Sequence, residues 1–390
     1  MDAHIRDDFL PPFRHNIGEE EIKEVIDTLS SDWITTGPKT KHFEETFRNF
    51  LGCKNAVAVN SCTAGLHLSL TAFGIGSGDE VITSPYTFAS TANVVIHQGA
   101  VPVFCDVQPD TLNIDPENLE EKITEKTKAI IPVHYAGHPC DMDEILKIAQ
   151  ENGLSVIEDA AHAFGAVYKD RPIGTIGNVT AFSFYATKNI TTAEGGMVTT
   201  NDAGLAERIR ILSMHGISKD AWKRYSSKGS WFYEVLDAGY KYNMTDLQAS
   251  IGIHQIKKAD AMLKRRQEIA ESYNEAFKDL SEVMVPVTKN YVTHAWHLYP
   301  IRLNTELLAI DRDKFIEIMH SKNIGTSVHF IPLHLHPFYR DRYNLKQGEF
   351  PNAEHAYSRE VSLPVYPRMA DDDVKDVIES VKDIIKNNKK

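Results

Sequence analysis

The chain is poor in cysteine. Its 390 residues contain four, Cys53, Cys62, Cys105 and Cys140, widely spaced and without a CxxC pair or a Cys/His cluster. Neither a disulfide framework nor a zinc site is indicated, and reduced, partly buried thiols are expected. Long apolar runs are missing too, since no stretch approaches the ~18 uninterrupted apolar residues that a membrane span needs. Basic charge is in deficit: 42 Lys and Arg stand against 54 Asp and Glu, a formal net charge of −12. That balance disfavours a general role on nucleic acid or an anionic membrane, and it leaves any anionic ligand to be met by a local site. The opening residues, 1–18, carry neither the basic flank nor the apolar core of a secretion signal, so the expected location is the cytoplasm. Low-complexity tracts and short repeats are also absent.

What remains is an ordinary globular composition, 42% hydrophobic and 25% charged, which at roughly 150 residues per domain suggests two or three domains. Ile22, Val25, Ile26 and Leu29 recur at helical spacing and predict an amphipathic helix over 19–29. Downstream, runs rich in β-branched residues at 56–59, 80–84, 101–106, 129–134, 155–159, 179–184 and 196–200 alternate with helical patterns such as 64–73, 88–98 and 143–151. Near-continuous apolar strands separated by helices predict an α/β fold with a mainly parallel sheet. Residues 245–273 read as one long helix bridging two domains. The remainder, with strand patterns at 295–302 and 326–331, a helix near 313–322 and a closing helix from Asp371, suits a smaller α+β domain. The expected division is a large domain over 1–250 and a small one over 251–390.

Three local patterns carry chemistry. Asp159 closes the 155–159 strand pattern, and His162 follows three residues on. Ligands of parallel α/β folds bind beyond the carboxyl ends of the strands, although an acid there serves equally well as a helix cap. Lys188 follows the next strand, close to Ser183 and ahead of the small, flexible run Thr191-Thr192-Ala193-Glu194-Gly195-Gly196. A lysine is by default a solvated surface residue, whereas one that is partly desolvated has a lowered pKa and attacks an aldehyde as a free amine. Thirdly, the first strand leads through Asn60-Ser61-Cys62-Thr63-Ala64-Gly65 into a helix, whose N-terminal amides and the Ser61 and Thr63 hydroxyls make a phosphate cradle. As a plain cap Thr63 would be unremarkable, and no Walker loop is present. Phosphate seat, acid and lysine together are the groups that pyridoxal phosphate (PLP) requires: the acid keeps the pyridine nitrogen protonated, and the lysine joins the aldehyde and then moves protons.

With these residues in view the chain resembles the fold-type I, aspartate-aminotransferase-like sugar aminotransferases of the DegT/DnrJ/EryC1/StrS family. The resemblance covers nearly the whole chain. It rests on Asp32-Trp33-Ile34-Thr35-Thr36-Gly37-Pro38, Ser61-Cys62-Thr63-Ala64-Gly65-Leu66-His67, Pro85-Tyr86-Thr87-Phe88, Glu158-Asp159-Ala160-Ala161-His162, Ser183-Phe184-Tyr185-Ala186-Thr187-Lys188-Asn189, Glu194-Gly195-Gly196 and Gly239-Tyr240-Lys241-Tyr242-Asn243. It implies Lys188 as the lysine that holds PLP as a Schiff base, Asp159 as the partner of the pyridine nitrogen, Phe88 stacked on the ring, and Thr63, Ala64 and Ser183 on the phosphate. His162 stands where many relatives have glutamine. It is implied to contact the ring-hydroxyl side and is similar to the branch that aminates C4 of sugars. Asn243 is implied to reach the cofactor phosphate of a neighbouring subunit, making a symmetric homodimer with shared sites; the local sequence leaves open that it only caps the helix starting near Thr245.

The segments His294-Ala295-Trp296-His297-Leu298-Tyr299 and Gly325-Thr326-Ser327-Val328-His329-Phe330 resemble those of enzymes that aminate UDP-4-keto sugars. On that basis His329 and Tyr185 are expected at the nucleotide sugar, with His294, His297 and, more weakly, His334 and His336 as further candidates. The implied reaction is transfer of an amino group from glutamate to the C4 keto group of a nucleotide-linked sugar, for polysaccharide or glycan biosynthesis. Relatives that remove a hydroxyl instead have histidine in place of the lysine, and related dehydratases carry a clustered iron–sulfur cysteine set. Lys188 and the scattered cysteines depart from both. The alternatives are a PLP-dependent sugar dehydratase and a non-catalytic regulator; against the regulator, no DNA-binding segment is visible and the lysine–acid pair is intact.

Overall fold

Near-continuous apolar runs build the larger sheet, in a computed structural model that describes residues 5–218 and 232–390. The strands of the first half are β1 (Asn55–Val59), β2 (Glu80–Thr83), β3 (Val101–Phe104), β4 (Thr127–Ile131), β5 (Ser155–Asp159), β6 (Val167–Tyr168), β7 (Arg171–Pro172), β8 (Val179–Ser183) and β9 (Gly196–Thr200). Seven of them pair in the order β1-β9-β8-β5-β4-β2-β3. All neighbours are parallel except those of β9, which runs antiparallel to both β1 and β8. Val57, Val81, Ile82, Ile130, Ile157, Val179 and Phe182 are buried, as strands covered by helices on both faces require.

The helices of this half are α1 (Glu19–Ser30), α2 (Pro38–Leu51), α3 (Cys62–Ala72), α4 (Ala89–His97), α5 (Met142–Glu151), α6 (Ala203–Leu212) and α7 (Asp246–Lys257), after which comes α8 (Ala259–Phe277). Asp246 ties the start of α2 to α7: its carboxylate accepts from the Gly37, Lys39 and Thr40 amides and from the Thr40 hydroxyl. Gly196 allows a second close approach, because a Cβ there would lie 2.5 Å from the Ser61 carbonyl carbon. Without that side chain β9 lies directly against the entry to α3.

The later strands are β10 (Val283–Met284), β11 (Val292–Thr293), β12 (Tyr299–Leu303) and β13 (Glu360–Leu363), and the later helices α9 (Arg312–Ser321), α10 (Pro337–Tyr343), α11 (Pro351–Tyr357) and α12 (Asp371–Asn388). β10, β12 and β13 form an antiparallel sheet in that order. Its core gathers Ile269, Tyr273, Phe277, Tyr299, Ile301, Phe315, Val377 and Ile384, together with Leu10 from the far end of the chain. The first core contains Met262, so the chain passes between the two cores within α8.

Four local expectations are corrected. Residues 245–273 form two helices, not one, because α7 ends at Lys257 and its C-cap Lys258, with φ −98° and ψ −2°, separates it from α8. The strand expected at 295–302 starts only at Tyr299, since Trp296 has a φ of 47° and the amides of Ala295 and His297 bond to Gly137 and Ala136 carbonyls. Residues 326–331 form no strand beyond the single bridge of Ser327 to Ser362. There the His329 amide goes to the Glu360 carboxylate, and its carbonyl goes to the Tyr135 hydroxyl, so side chains take the groups that a ladder would use. Finally, α1 turns polar residues inward: Glu21 and Thr28 are buried, while Ile22, Ile26 and Leu29 are each more than half exposed.

The aromatic group that joins α2 to the sheet gives the fold a direct test. Phe47 is fully buried and packs against Phe43, Phe164, Phe182 and Phe184. Phe47→Ala is expected to cost about 3–5 kcal/mol, read as a lower urea midpoint with unchanged slope; a loss below 1 kcal/mol would show that α2 is not anchored by this cluster.

Candidate active site

β1, β2, β5 and β8 end on one side of the sheet, and the residues singled out from the sequence converge there. Asp159, the last residue of β5, is buried. It caps no helix. One carboxylate oxygen accepts from the Thr91 hydroxyl at 2.8 Å, the other from the Ala161 amide at 3.1 Å, and the Cys62 thiol lies 3.9 Å away. Burial raises the carboxyl pKa, while the two hydrogen bonds and the Lys188 charge oppose the rise. Lys188 lies in the turn after β8, its amide bonded to the Tyr185 carbonyl at 2.9 Å. Burial lowers its pKa to about 8 against the upward pull of Asp159, which places the free amine within reach near neutrality.

A shell of imidazoles surrounds this pair. The Lys188 amine is 3.4 Å from His297 Nε2. His297 Nδ1 meets the Asn189 side-chain oxygen at 3.2 Å, and the Asn189 amide nitrogen donates to the Ala295 carbonyl. Because that donation orients the Asn189 amide, His297 must carry its proton on Nδ1 and turn a lone pair to the amine. The His162 ring lies 4.4 Å from that of His297 and stacks on Phe330 at 5.8 Å, and its buried Nδ1 has no partner among the described residues. Burial, then the Lys188 charge, keeps both His162 and His297 well below the usual imidazole range. His329 is held in the same way, at about 4.

The remaining expectations fall around this centre. Ser61, not Thr63, is the N-cap of α3, accepting from the Ala64 amide at 3.1 Å. This leaves Thr63 exposed on the first turn and Ala64 buried behind it. Ser183 pairs in register with Gly196, which abuts Ser61. Phe88 precedes α4, is 64% exposed, and faces Phe330 at 6.3 Å. Tyr185 is nearly half exposed. Asn243 does not cap α7, since Thr245 does so through a reciprocal bond pair with Gln248; its side chain instead donates to Thr36 at 2.6 Å, and its backbone bridges to Val59. A cavity of about 150 Å³ beside His297 is lined by Pro12, Phe13, Thr187, Ser327, His329 and Ser362 among others, and none of its lining residues carries a formal charge.

Of the other histidines, His294 is structural, stacked on Trp296 and accepting its amide, and His334 is fixed by Glu354. Sequence reasoning missed the parts played by Thr91 in α4, Phe330 in an irregular stretch, and Glu360 and Ser362 in β13, none of which follows a recognisable spacing. All four cysteines are free and buried, Cys105 and Cys140 completely.

The donor set fits a phosphorylated pyridine aldehyde: a lysine with a lowered pKa, a carboxylate held by two donors, a ring nitrogen on His162 without a partner among the described residues, and the first turn of α3, where Ser61 is the cap and Thr63 is exposed. The sequence matches the DegT/DnrJ/EryC1/StrS aminotransferase family over residues 15–382. It is 66% identical over 385 residues to an uncharacterized protein of Methanocaldococcus jannaschii, covering 99% of this chain and 100% of that one. It is 56% identical over 382 residues to the spore coat polysaccharide biosynthesis protein SpsC of Bacillus subtilis, covering 98% of each. Among solved structures, Spr1654 of Streptococcus pneumoniae, described as a sugar aminotransferase, superposes in its PMP form with a TM-score of 0.91 at 35% identity, covering 97% of this chain and 99% of that one. Fold and matches together define a PLP-dependent aminotransferase. The chain belongs to the DegT/DnrJ/EryC1/StrS aminotransferase family.

The electrostatics of Lys188 are testable without a substrate. In cofactor-stripped protein its labelling by an amine-directed reagent, followed by peptide mapping, should rise with a midpoint near pH 8. Asp159→Asn should move the midpoint down, since the carboxylate's charge stabilises the ammonium form. A midpoint at the ordinary lysine value would show that the amine is not desolvated.

Proposed function

We propose that the protein transfers an amino group from L-glutamate to the C4 keto group of a nucleotide-linked sugar, UDP-linked by preference, and that its product enters a polysaccharide or glycan. The observation that carries this reading is the desolvated Lys188 amine, which meets His297 on the wall of an uncharged cavity of about 150 Å³ that sets the Thr187, Ser327 and Ser362 hydroxyls and the His297 and His329 rings among apolar side chains. Such a lining suits a neutral sugar ring and leaves the diphosphate and the donor's carboxylates outside it. Placement of the amino group at C4 is supported by His162, at a position where the C4-aminating branch has histidine.

When bound, PLP supplies the electron sink that lets a proton leave the carbon bearing the amino group. The residues of the chain divide the remaining work. Lys188 would hold the cofactor and, as a free amine, would accept and return the proton at its Nζ, while His297 orients that amine. Asp159 would hold the pyridine nitrogen, its carboxylate oriented by Thr91. Phe88 and His162 would meet the ring, and the first turn of α3, with Thr63, Ala64 and Ser183, would take the phosphate through amides and hydroxyls in place of arginines. His329 and Tyr185 would meet the sugar.

We infer that the active unit is a homodimer with shared sites. Ile22, Ile26 and Leu29, at helical spacing on α1, are all more than half exposed, an apolar face that a second copy would cover. Among the described residues one side-chain N–H of Asn243 has no acceptor, while the other is held by Thr36, itself bound to the Met244 carbonyl, so it is poised to serve a neighbour's phosphate.

A panel of UDP-, dTDP- and GDP-linked keto sugars with glutamate, read by mass spectrometry, should give an amino sugar from a UDP-4-keto substrate. Lys188→Ala should lose the yellow colour and about three orders of magnitude or more of turnover. Loss of water from the sugar without nitrogen gain would establish the dehydratase reading instead. Mixing inactive Lys188→Ala and Asn243→Ala chains should restore activity in heterodimers, because one site in each then has both residues. No recovery in heterodimers confirmed by native mass spectrometry would count against shared sites.

A further inference from the structure

One buried acid near this site has no part in the reading above. Glu360, in β13, is fully buried. One of its carboxyl oxygens accepts from the His329 amide at 2.8 Å, and the other is joined by a short hydrogen bond to the Ser362 hydroxyl. The same Ser362 oxygen lies 2.9 Å from His329 Nδ1. His329 and Ser362 both line the cavity beside His297, and among the described residues His329 Nε2 has no hydrogen-bonding partner. We propose that Glu360, Ser362 and His329 form a proton relay ending at His329 Nε2 on the cavity wall, with Glu360 the positioning residue that decides whether this nitrogen donates or accepts a hydrogen bond.

The geometry permits two consistent states. The His329 amide can only donate, so one Glu360 oxygen is always an acceptor and any proton on Glu360 sits on the oxygen facing Ser362. With Glu360 protonated, its O–H donates to Ser362, the Ser362 O–H donates to His329 Nδ1, and the ring proton is on Nε2, facing the cavity. With Glu360 ionised, every bond reverses: Ser362 donates to the carboxylate and accepts from Nδ1–H, and Nε2 offers a lone pair. If Nε2 gives its proton to a substrate oxygen, Nδ1 takes one from Ser362 and Ser362 takes one from Glu360. One proton reaches the substrate and one carboxylate is left behind.

Several groups face Glu360. They are the Arg312 guanidinium of α9, the Tyr86 and Tyr135 hydroxyls and the His329 ring; Arg302 stands opposite in the β12 register, with its guanidinium turned to the Pro109 and Asp110 carbonyls. Burial outweighs the stabilising partners Ser362, the His329 amide and Arg312, and raises the Glu360 pKa to about 8. Below that value the donor form prevails, and above it the acceptor form. His329 itself, at about 4, stays neutral throughout. Resting on the keto-sugar reading, the donor form is the one that would meet the carbonyl oxygen of the acceptor substrate.

The test reads the tautomer directly, on intact protein labelled with ¹⁵N-histidine. The His329 resonances are assigned by their loss in His329→Gln. In the wild type the proton should move from Nε2 to Nδ1 as pH rises through about 8. In Glu360→Gln the amide oxygen must accept from the His329 amide, so its NH₂ always donates to Ser362 and Nε2–H should persist at every pH. Ser362→Ala should abolish the pH dependence and lower turnover on the order of a hundredfold. A wild-type tautomer that does not change with pH, or a change that survives in Glu360→Gln, would overturn the relay. Because no substrate is present, a wrong assignment of the sugar leaves this readout unaffected.

Discussion

Charge buried at the end of a strand is tolerated only where other groups replace the water it has lost, and this constraint organises the site. Asp159 ends β5 under the cover of α3 and α4, where burial alone would neutralise it. The Thr91 hydroxyl, the Ala161 amide and the charge on Lys188 restore part of that solvation. Lys188 is affected in the opposite sense, since burial favours its neutral amine and Asp159 restrains the shift. Each group sets how far the other departs from its ordinary state, and an amine poised near neutrality results.

A second charge in the same space would upset this balance, which accounts for the neutral histidines. His162, His297 and His329 are all depressed, by burial first and by Lys188 next. A neutral imbalance-free imidazole shell still carries direction, because each ring is oriented by what lies behind it: Asn189 for His297 and the Ser362–Glu360 pair for His329. His162 differs in having a buried nitrogen without a partner among the described residues.

The scaffold brings these parts together through a few close approaches. β9, antiparallel between β1 and β8, lets Gly196 sit against Ser61, so the start of α3 and the end of β8 border one space. The second sheet contributes from the other side, with β13 placing Glu360 and Ser362 behind His329. The outward apolar stripe of α1 belongs to the same design: its polar face is used inside, where Glu21 meets Gln255 and Lys258, which leaves Ile22, Ile26 and Leu29 facing outward.

Much of this was legible in the sequence. The alternation of apolar strands and helices determined the α/β class, and β5 and β9 have the bounds read from the pattern, because buried parallel strands are written as uninterrupted apolar runs. Asp159, Lys188 and the 60–65 turn were recognisable because strand ends and helix starts are local features. Non-local contacts left no such trace. Periodicity could not show that 326–331 gives its backbone groups to Glu360 and Tyr135 instead of a ladder, or that Lys258 divides one helical pattern into two. Nor does spacing distinguish His297, at the amine, from His294, stacked on Trp296 two positions away. The sequence determined which chemistry was available. Only the tertiary structure decided which imidazole, hydroxyl and acid face one another, because a tautomer or a shifted pKa depends on neighbours that, for His297, lie more than a hundred residues away in the chain.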